Sequence, residues 1–129
     1  MRHTPSVRRR LLLTLPLWPV TAGHAQPVLL SLAMPGLDRA RTVRVWLPPG
    51  YEQGDERYPV LYLHDGQNLA GADAPHGGWA VDQALAALPH AIVVGIDHGG
   101  LQRVTELNPW SNSRFGPGEG LRYLRFISA

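Results

Sequence analysis

The chain has 129 residues, a formal net charge of +2 and no cysteine, which predicts a single domain without a disulfide framework or a thiolate metal site. All 12 basic residues are arginines, and four of them lie within the first ten positions. The rest of the chain carries eight arginines against ten acidic residues, and this balance of −2 predicts no nucleic-acid partner.

Residues 1–25 have the features of an export signal. Arg8–Arg10 form a positive region, Leu11–Val20 is apolar but interrupted by prolines, and Gly23-His24-Ala25 places small residues around a cleavage site. The apolar stretch is too short to span a bilayer, so we expect no stable membrane anchor. The sequence therefore predicts a Sec or twin-arginine signal peptide and a secreted or periplasmic domain of residues 26–129. A disordered basic tail is the alternative.

Two short runs at the start of this domain predict an antiparallel hairpin. Val28–Met34 is apolar and is followed by Pro35-Gly36, a strong turn signal. Thr42–Leu47 alternates with a period of two, as a strand does, and Pro48-Pro49-Gly50 ends it. The two runs are close enough along the chain to pair across the turn.

The next three segments predict a strand, a helix and a second strand. Val60–Leu63 and Ala91–Ile96 are continuous apolar runs, which suits strands covered on both faces of a parallel sheet. Between them, Trp79–Leu88 has apolar residues near helical spacing, and Gly120–Ile127 predicts a further helix. The fold class is therefore α/β, with an antiparallel hairpin followed by a parallel βαβ unit that we expect to cross over right-handed.

Both predicted central strands end in polar residues and glycines. His64–Gln67 follows the first strand, and Asp97–Gly100 follows the second. Ligands collect at the carboxyl ends of parallel strands, and glycine there lets the backbone turn and a ligand approach. Freed N–H groups in such turns can face a developing oxyanion. These positions predict a binding site that includes Gly66, Asp97 and His98. The alternative is that the glycines only end the strands and that Asp and His cap the next helices.

A metal site is the second interpretation of the same residues. The ligand-type side chains are His64, Asp65, Asp73, His76, Asp97 and His98. Their spacing matches neither His-x-x-x-His nor His-Glu-x-x-His, and neighbours on an extended strand point apart. No Gly-x-Gly-x-x-Gly follows either central strand. We therefore expect neither a metal nor another cofactor.

A catalytic nucleophile is not recognisable. The serines after the export signal are Ser31, Ser111, Ser113 and Ser128. None lies in Gly-x-Ser-x-Gly, and none follows a predicted strand and precedes a helix. We expect them to be ordinary surface hydroxyls.

Four segments, taken in order, resemble the first half of an esterase family. They are "RTVRVWLPPGYEQGDERYPVLYLHDGQNL", "WAVDQALAAL", "AIVVGIDHGG" and "ELNPW", and the resemblance covers Ala40–Ile127. The family is the group of α/β-hydrolases related to esterase D, to feruloyl and acetyl-xylan esterases, and to enterochelin-type esterases. The resemblance implies serine carboxylic-ester hydrolysis without a cofactor, on a small-molecule or carbohydrate ester.

The resemblance also implies one catalytic group in this chain. In the family, the loop after "YLHDGQN" supplies a backbone N–H to the oxyanion hole, which maps onto Gln67. The nucleophile, acid and base of the family lie beyond the region matched here, so the chain is expected to be a truncated α/β-hydrolase, inactive alone. Ala91–Ile96 would then lack a covering strand on one side, which predicts self-association through the exposed sheet.

Two other functions stay open. A non-catalytic module could bind a sugar or aromatic ester through Trp110, Trp79, Tyr51 and the Asp97–Gly100 loop, although a core-facing position is the stronger expectation for Trp79. Alternatively, a separately encoded second half could complete a two-chain hydrolase.

Overall fold

The computed structural model describes residues 26–71, 73–81, 83–84 and 91–129. The predicted export signal and half of the predicted Trp79–Leu88 helix, residues 82 and 85–88, lie outside the described residues. Among the described residues there are four strands, β1 (Val28–Met34), β2 (Arg39–Trp46), β3 (Val60–His64) and β4 (Ile92–Ile96). Two α-helices are described over their full length, α1 (Arg103–Glu106) and α2 (Gly120–Ile127). None of the helices in this described part is long and apolar enough to cross a bilayer.

The predicted antiparallel hairpin is confirmed. β1 pairs with β2 from Val28 opposite Val45 to Met34 opposite Arg39. Gly36 lies in the turn with φ 78°, a left-handed conformation that glycine adopts at little cost. β2 begins at Arg39, three residues before the alternating pattern predicted, because its pairing with β1 extends to the turn, where Arg39 lies opposite Met34.

The predicted parallel pair is also confirmed. β3 runs parallel to β4, from Val60 opposite Ile92 to His64 opposite Ile96. β4 also pairs antiparallel with β2, so the sheet has the order β1-β2-β4-β3. Between β3 and β4, the residues Val81, Gln83 and Ala84 are helical, and the Ala84 N–H donates to the carbonyl of Ala80.

The prediction that both parallel strands are covered is wrong for β3. Its residues Val60, Leu61 and Tyr62 are 46%, 48% and 56% exposed, whereas Val93 of β4 is fully buried. The expectation that Ala91–Ile96 has the uncovered side is wrong for the same reason. β4 has a neighbour on each side, and β3 stands at the end of the sheet. An apolar run is the same in a central strand and an edge strand, so the sequence did not separate them.

The two faces of the sheet carry separate apolar clusters. On one face, Met34 and Ile96 pack with Tyr123 of α2. The sequence predicts an apolar side of this helix formed by Leu121, Leu124 and Ile127, which is wrong for the two leucines, since they are 64% and 59% exposed. On the other, Trp46 and Val93 pack with Leu69, which follows the loop after β3. The two clusters therefore fix α2 and the loop after β3 against opposite faces of the sheet.

Candidate functional site

The loop after β3 forms a short 3-10 turn, Gly66–Asn68, at the end of the strand. Asp65 enters it in the left-handed conformation, at φ 56° and ψ 45°. The Asn68 N–H donates to the carbonyl of Asp65 at 2.8 Å, and the Leu69 N–H donates to that of Gly66 at 3.2 Å. The Gln67 N–H makes no hydrogen bond with any described residue, and a backbone donor in a protein normally has a partner.

Gly66 is required by the close approach of the two strand-end loops. A Cβ at this position would lie 2.7 Å from the carbonyl carbon of Gly95 and 2.7 Å from Oδ1 of Asp97. Such distances are well inside van der Waals contact. Gly66 is predicted from the sequence to let a ligand approach, whereas in the structure its close neighbours are the backbone of Gly95 in β4 and the carboxylate of Asp97.

The Gln67 side chain connects the two loops. Its Oε1 accepts a hydrogen bond from the N–H of His98 at 3.0 Å, while its Nε2 is buried without a partner among the described residues. A side chain tied at its end limits the movement of its own backbone. The bond therefore contributes to holding the Gln67 N–H in place.

Two carboxylates at the strand ends are held by arginines. Asp65 accepts from Nε and Nη2 of Arg103, both at 2.8 Å, and Asp97 accepts from Nε and Nη2 of Arg44 at 2.7 and 2.8 Å. The hydrogen bonds from Arg103 lower the pKa of Asp65 below its ordinary value. Both acids are thus engaged by arginines, which gives them a supporting role in this arrangement.

His98 lies beside the turn, whereas Trp110, the other predicted binding residue, lies in a different loop. His98 borders the turn through its N–H, and its Nδ1 accepts from the N–H of Gly100 at 2.9 Å. Trp110 is 76% exposed, and its N–H donates to Oδ1 of Asn108. No hydrogen bond links Trp110 to the turn within the described part of the chain. The structure therefore brings Gly66, Gln67, Asp97 and His98 together and does not join Trp110 to them.

Trp79 does not face the core, contrary to the stronger sequence expectation. It is 54% exposed, and its N–H donates to the carbonyl of Asn68 at 2.8 Å. The hydrogen bond fixes the chain after the turn and leaves the indole at the surface.

Helix α2 reaches the site through Tyr123. The Tyr123 hydroxyl lies 3.1 Å from Nδ1 of His64, the last residue of β3. Burial raises the pKa of Tyr123 to about 12, with Arg41 opposing and Glu106 adding to the effect. The phenol is therefore neutral at ordinary pH and acts as a hydrogen-bonding group.

A buried ion-pair cluster lies behind these residues, and the sequence analysis missed it. Glu106 of α1 binds Arg41 and lies 3.3 Å from Nε of Arg39, and Arg39 also binds Glu119. The side chains of Arg41 and Glu106 are 6% and 2% exposed. The sequence gives only a weak indication of this cluster. Arg39 and Arg41 are two positions apart and so share one face of a strand, but nothing in the local sequence shows that this face is buried.

The described residues contain no recognisable nucleophile or metal centre. Within the described ranges, no three His, Asp or Glu side chains are arranged to hold a metal ion. Ser128 donates its hydroxyl to the carbonyl of Leu124, and Ser111 and Ser113 are exposed in a loop. Within the part of the chain that the structure describes, the site thus offers the unbonded N–H of Gln67 and no serine paired with a histidine and an acid.

Comparison with known proteins identifies the family and the fold. Residues 35–125, more than half of the chain, match the family model described as "Putative esterase". The IroE-like serine hydrolase from Shewanella oneidensis is 26% identical, with a TM-score of 0.62 over 80% of this chain and 35% of that one. The BES protein from Bacillus cereus is 18% identical, with a TM-score of 0.56 over 88% of this chain and 46% of that one.

An enterochelin esterase from Shigella flexneri also matches, at 25% identity and a TM-score of 0.48 over 73% of this chain and 23% of that one. No curated protein matched. The chain therefore spans less than half of the length of the IroE-like hydrolase and of the BES protein, 35% and 46% respectively.

Proposed function

The chain belongs to the Putative esterase family, and on that premise we propose that it forms the N-terminal part of a serine carboxylic-ester hydrolase. Its contribution to the chemistry is the backbone N–H of Gln67, which donates to the oxyanion of the tetrahedral intermediate. The observation that carries the proposal is this free donor, at the carboxyl end of a parallel strand, in a turn held by residues of the neighbouring loop.

The support of the turn favours a preorganised donor. Gly66 lies against β4, the Gln67 side chain is bonded to His98, and Arg103 holds Asp65 in its left-handed conformation. A donor that is fixed before the reaction needs no reorganisation when negative charge develops on the carbonyl oxygen, which is the source of oxyanion-hole catalysis.

Residues outside this sequence would supply the nucleophile, acid and base. The 129 residues contain no Gly-x-Ser-x-Gly and no cysteine. Loss of a full triad lowers the rate by a factor on the order of a million. The chain alone should therefore not hydrolyse p-nitrophenyl acetate above the buffer rate. Turnover that a serine-directed phosphonate abolishes would contradict this.

The role of Gln67 requires an assay in a completed hydrolase. We would replace the matched region of the IroE-like serine hydrolase with residues 26–129 and compare Gln67→Pro with Gln67→Ala. Both variants lose the side-chain bond to His98, but only proline removes the N–H. A missing oxyanion donor costs about 100- to 1,000-fold in kcat. Equal kcat values in two folded variants would rule out this donor.

A non-catalytic binding function has one observation in its favour. Trp110 presents a large exposed ring, 76% accessible, in a loop separate from the turn. Aromatic faces of this kind can stack on a sugar or an aromatic acyl group. Trp110→Ala would then abolish a rise in melting temperature caused by an oligosaccharide or phenolic ester, whereas Gln67→Pro would not.

Export is part of the proposal. It depends on the pattern of residues 1–25, and the esterase would then act outside the cytoplasm on a small-molecule or carbohydrate ester. Loss of residues 1–25 from the secreted protein, measured by mass spectrometry, is the expected result.

A further inference from the structure

Two adjacent glycines in the Asp97–Gly100 loop are needed for different reasons. Gly100 has φ 61°, and a Cβ there would meet no described atom within 4 Å, so its backbone conformation alone favours glycine. Gly99 has φ −82° and ψ 22°, a conformation that residues with a side chain also adopt. The reason for a glycine at position 99 therefore lies in what surrounds it.

Gly99 lies against the buried ion pair of Arg41 and Glu106. A Cβ at position 99 would lie 2.6 Å from Oε2 and 2.8 Å from Oε1 of Glu106, and 2.8 Å from Nη2 of Arg41. These distances are well inside van der Waals contact. The two charged groups thus touch the backbone of Gly99, and a side chain at this position would push the loop and the ion pair apart.

The ion pair is a firm support because it is enclosed. The side chains of Arg41 and Glu106 are 6% and 2% exposed, and the described residues alone bury them. Arg39 lies 3.3 Å from the same carboxylate and also binds Glu119, so the pair belongs to a larger network. Separating charges that have no access to water is costly. The support therefore cannot readily move away from Gly99.

The residue before Gly99 holds the turn that carries the oxyanion donor. The N–H of His98 donates to Oε1 of Gln67 at 3.0 Å. One residue earlier, the N–H of Asp97 donates to the carbonyl of Thr42 in β2 at 3.0 Å, which fixes the start of the loop. The position of the His98 N–H then depends on where the next residue, Gly99, rests.

We propose that Arg41 and Glu106 are positioning residues for the N–H of Gln67. Their ion pair supports the backbone of Gly99, and His98 transmits this support to the Gln67 side chain. The inference rests on the proposed function of the Gln67 N–H as an oxyanion donor. Such a donor must be held within about 0.5 Å of its productive position by the residues around it.

Hydrogen exchange of the His98 amide, followed by NMR in the full chain, measures this support, because the amide is protected while its bond to Gln67 is closed. The fully buried Val93 in the central strand β4 reports global unfolding. Gly99→Ala should lower the protection of His98 at least about tenfold more than that of Val93. Gly54→Ala, whose Cβ would have no atom closer than 3.8 Å, is the control and should change neither. Equal losses at both amides in Gly99→Ala would overturn the proposal.

The double variant Arg41→Met with Glu106→Leu removes the ion pair itself. Apolar replacement of both partners of a buried ion pair is often neutral or stabilising, so the Val93 amide should stay protected. The His98 amide should lose at least about tenfold more protection than Val93, because the charged groups no longer support Gly99. This variant decides the question even where Gly99→Ala does not fold. Unchanged protection of His98, or equal losses at both amides, would refute the positioning role.

Gly99→Ala added to the double variant tests whether Gly99 acts through the ion pair. Without the carboxylate and the guanidinium, the new Cβ has room, so the protection of His98 should change by less than about twofold. A further tenfold loss would contradict the proposal. These exchange rates do not involve an ester. Equal kcat values for Gln67→Pro and Gln67→Ala would therefore remove the proposed oxyanion role and leave the exchange results standing, so the two failures are distinguishable.

Discussion

Removal of the charge of Glu106 should destabilise the protein severely. Glu106 lies at the centre of the buried cluster, where it binds Arg41 and approaches Arg39. The substitution Glu106→Gln keeps the shape of the side chain but leaves Arg41, whose side chain is 6% exposed, without its partner carboxylate. An uncompensated buried charge costs far more than the loss of an exposed pair.

The magnitude follows from the burial. Breaking a buried ion pair by removing one partner costs about 3–5 kcal/mol. In a domain of roughly 100 residues, 1 kcal/mol lowers the melting temperature by about 4–8 °C, so a loss of about 3 kcal/mol corresponds to roughly 12–24 °C. Urea denaturation would give the free energy of unfolding, and calorimetry would give the melting temperature.

Two further variants separate charge burial from general damage. Glu52→Gln changes an exposed acid in the turn after β2 and should shift stability by less than about 0.5 kcal/mol. Arg41→Met combined with Glu106→Leu removes both charges and should be more stable than Glu106→Gln alone. A loss below about 1 kcal/mol in Glu106→Gln, or a double variant less stable than the single one, would refute the reasoning.

The remaining predictions concern the supports of the turn. Gly66→Ala should destabilise by about 1–3 kcal/mol in urea denaturation because its Cβ would meet the backbone of Gly95, while Gly54→Ala, whose Cβ would have no atom closer than 3.8 Å, should be nearly neutral. Arg103→Gln should raise the pKa of Asp65 in an NMR titration. The pKa of Asp65 is lower in the folded protein than in the unfolded chain, so the Asp65–Arg103 pair stabilises the fold above the ordinary Asp pKa. This stabilisation is lost as the pH falls through the folded pKa of Asp65. The free energies of unfolding of wild type and Arg103→Gln should therefore become equal in acid. Unequal stabilities in acid, or an unchanged Asp65 pKa, would contradict this.

The strand order was predictable in part from local pattern. The turn at Pro35-Gly36 and the two apolar runs gave the hairpin and the parallel pair, because turn chemistry and crossover length act over a few residues. The position of β3 at the end of the sheet was not predictable. Whether a strand has one neighbour or two depends on segments distant in sequence, and both cases produce the same apolar run.

In the candidate site, too, some features were predictable from the sequence and others were not. The glycine at position 66 and the polar residues after β3 and β4 were recognisable from the sequence, since a sharp turn at a strand end has a local signature. The partners of these residues were not. Asp65 binds an arginine 38 positions away, and Asp97 binds one 53 positions away. Residues that were interpreted as free ligand-binding groups are thus partly occupied in holding the turn.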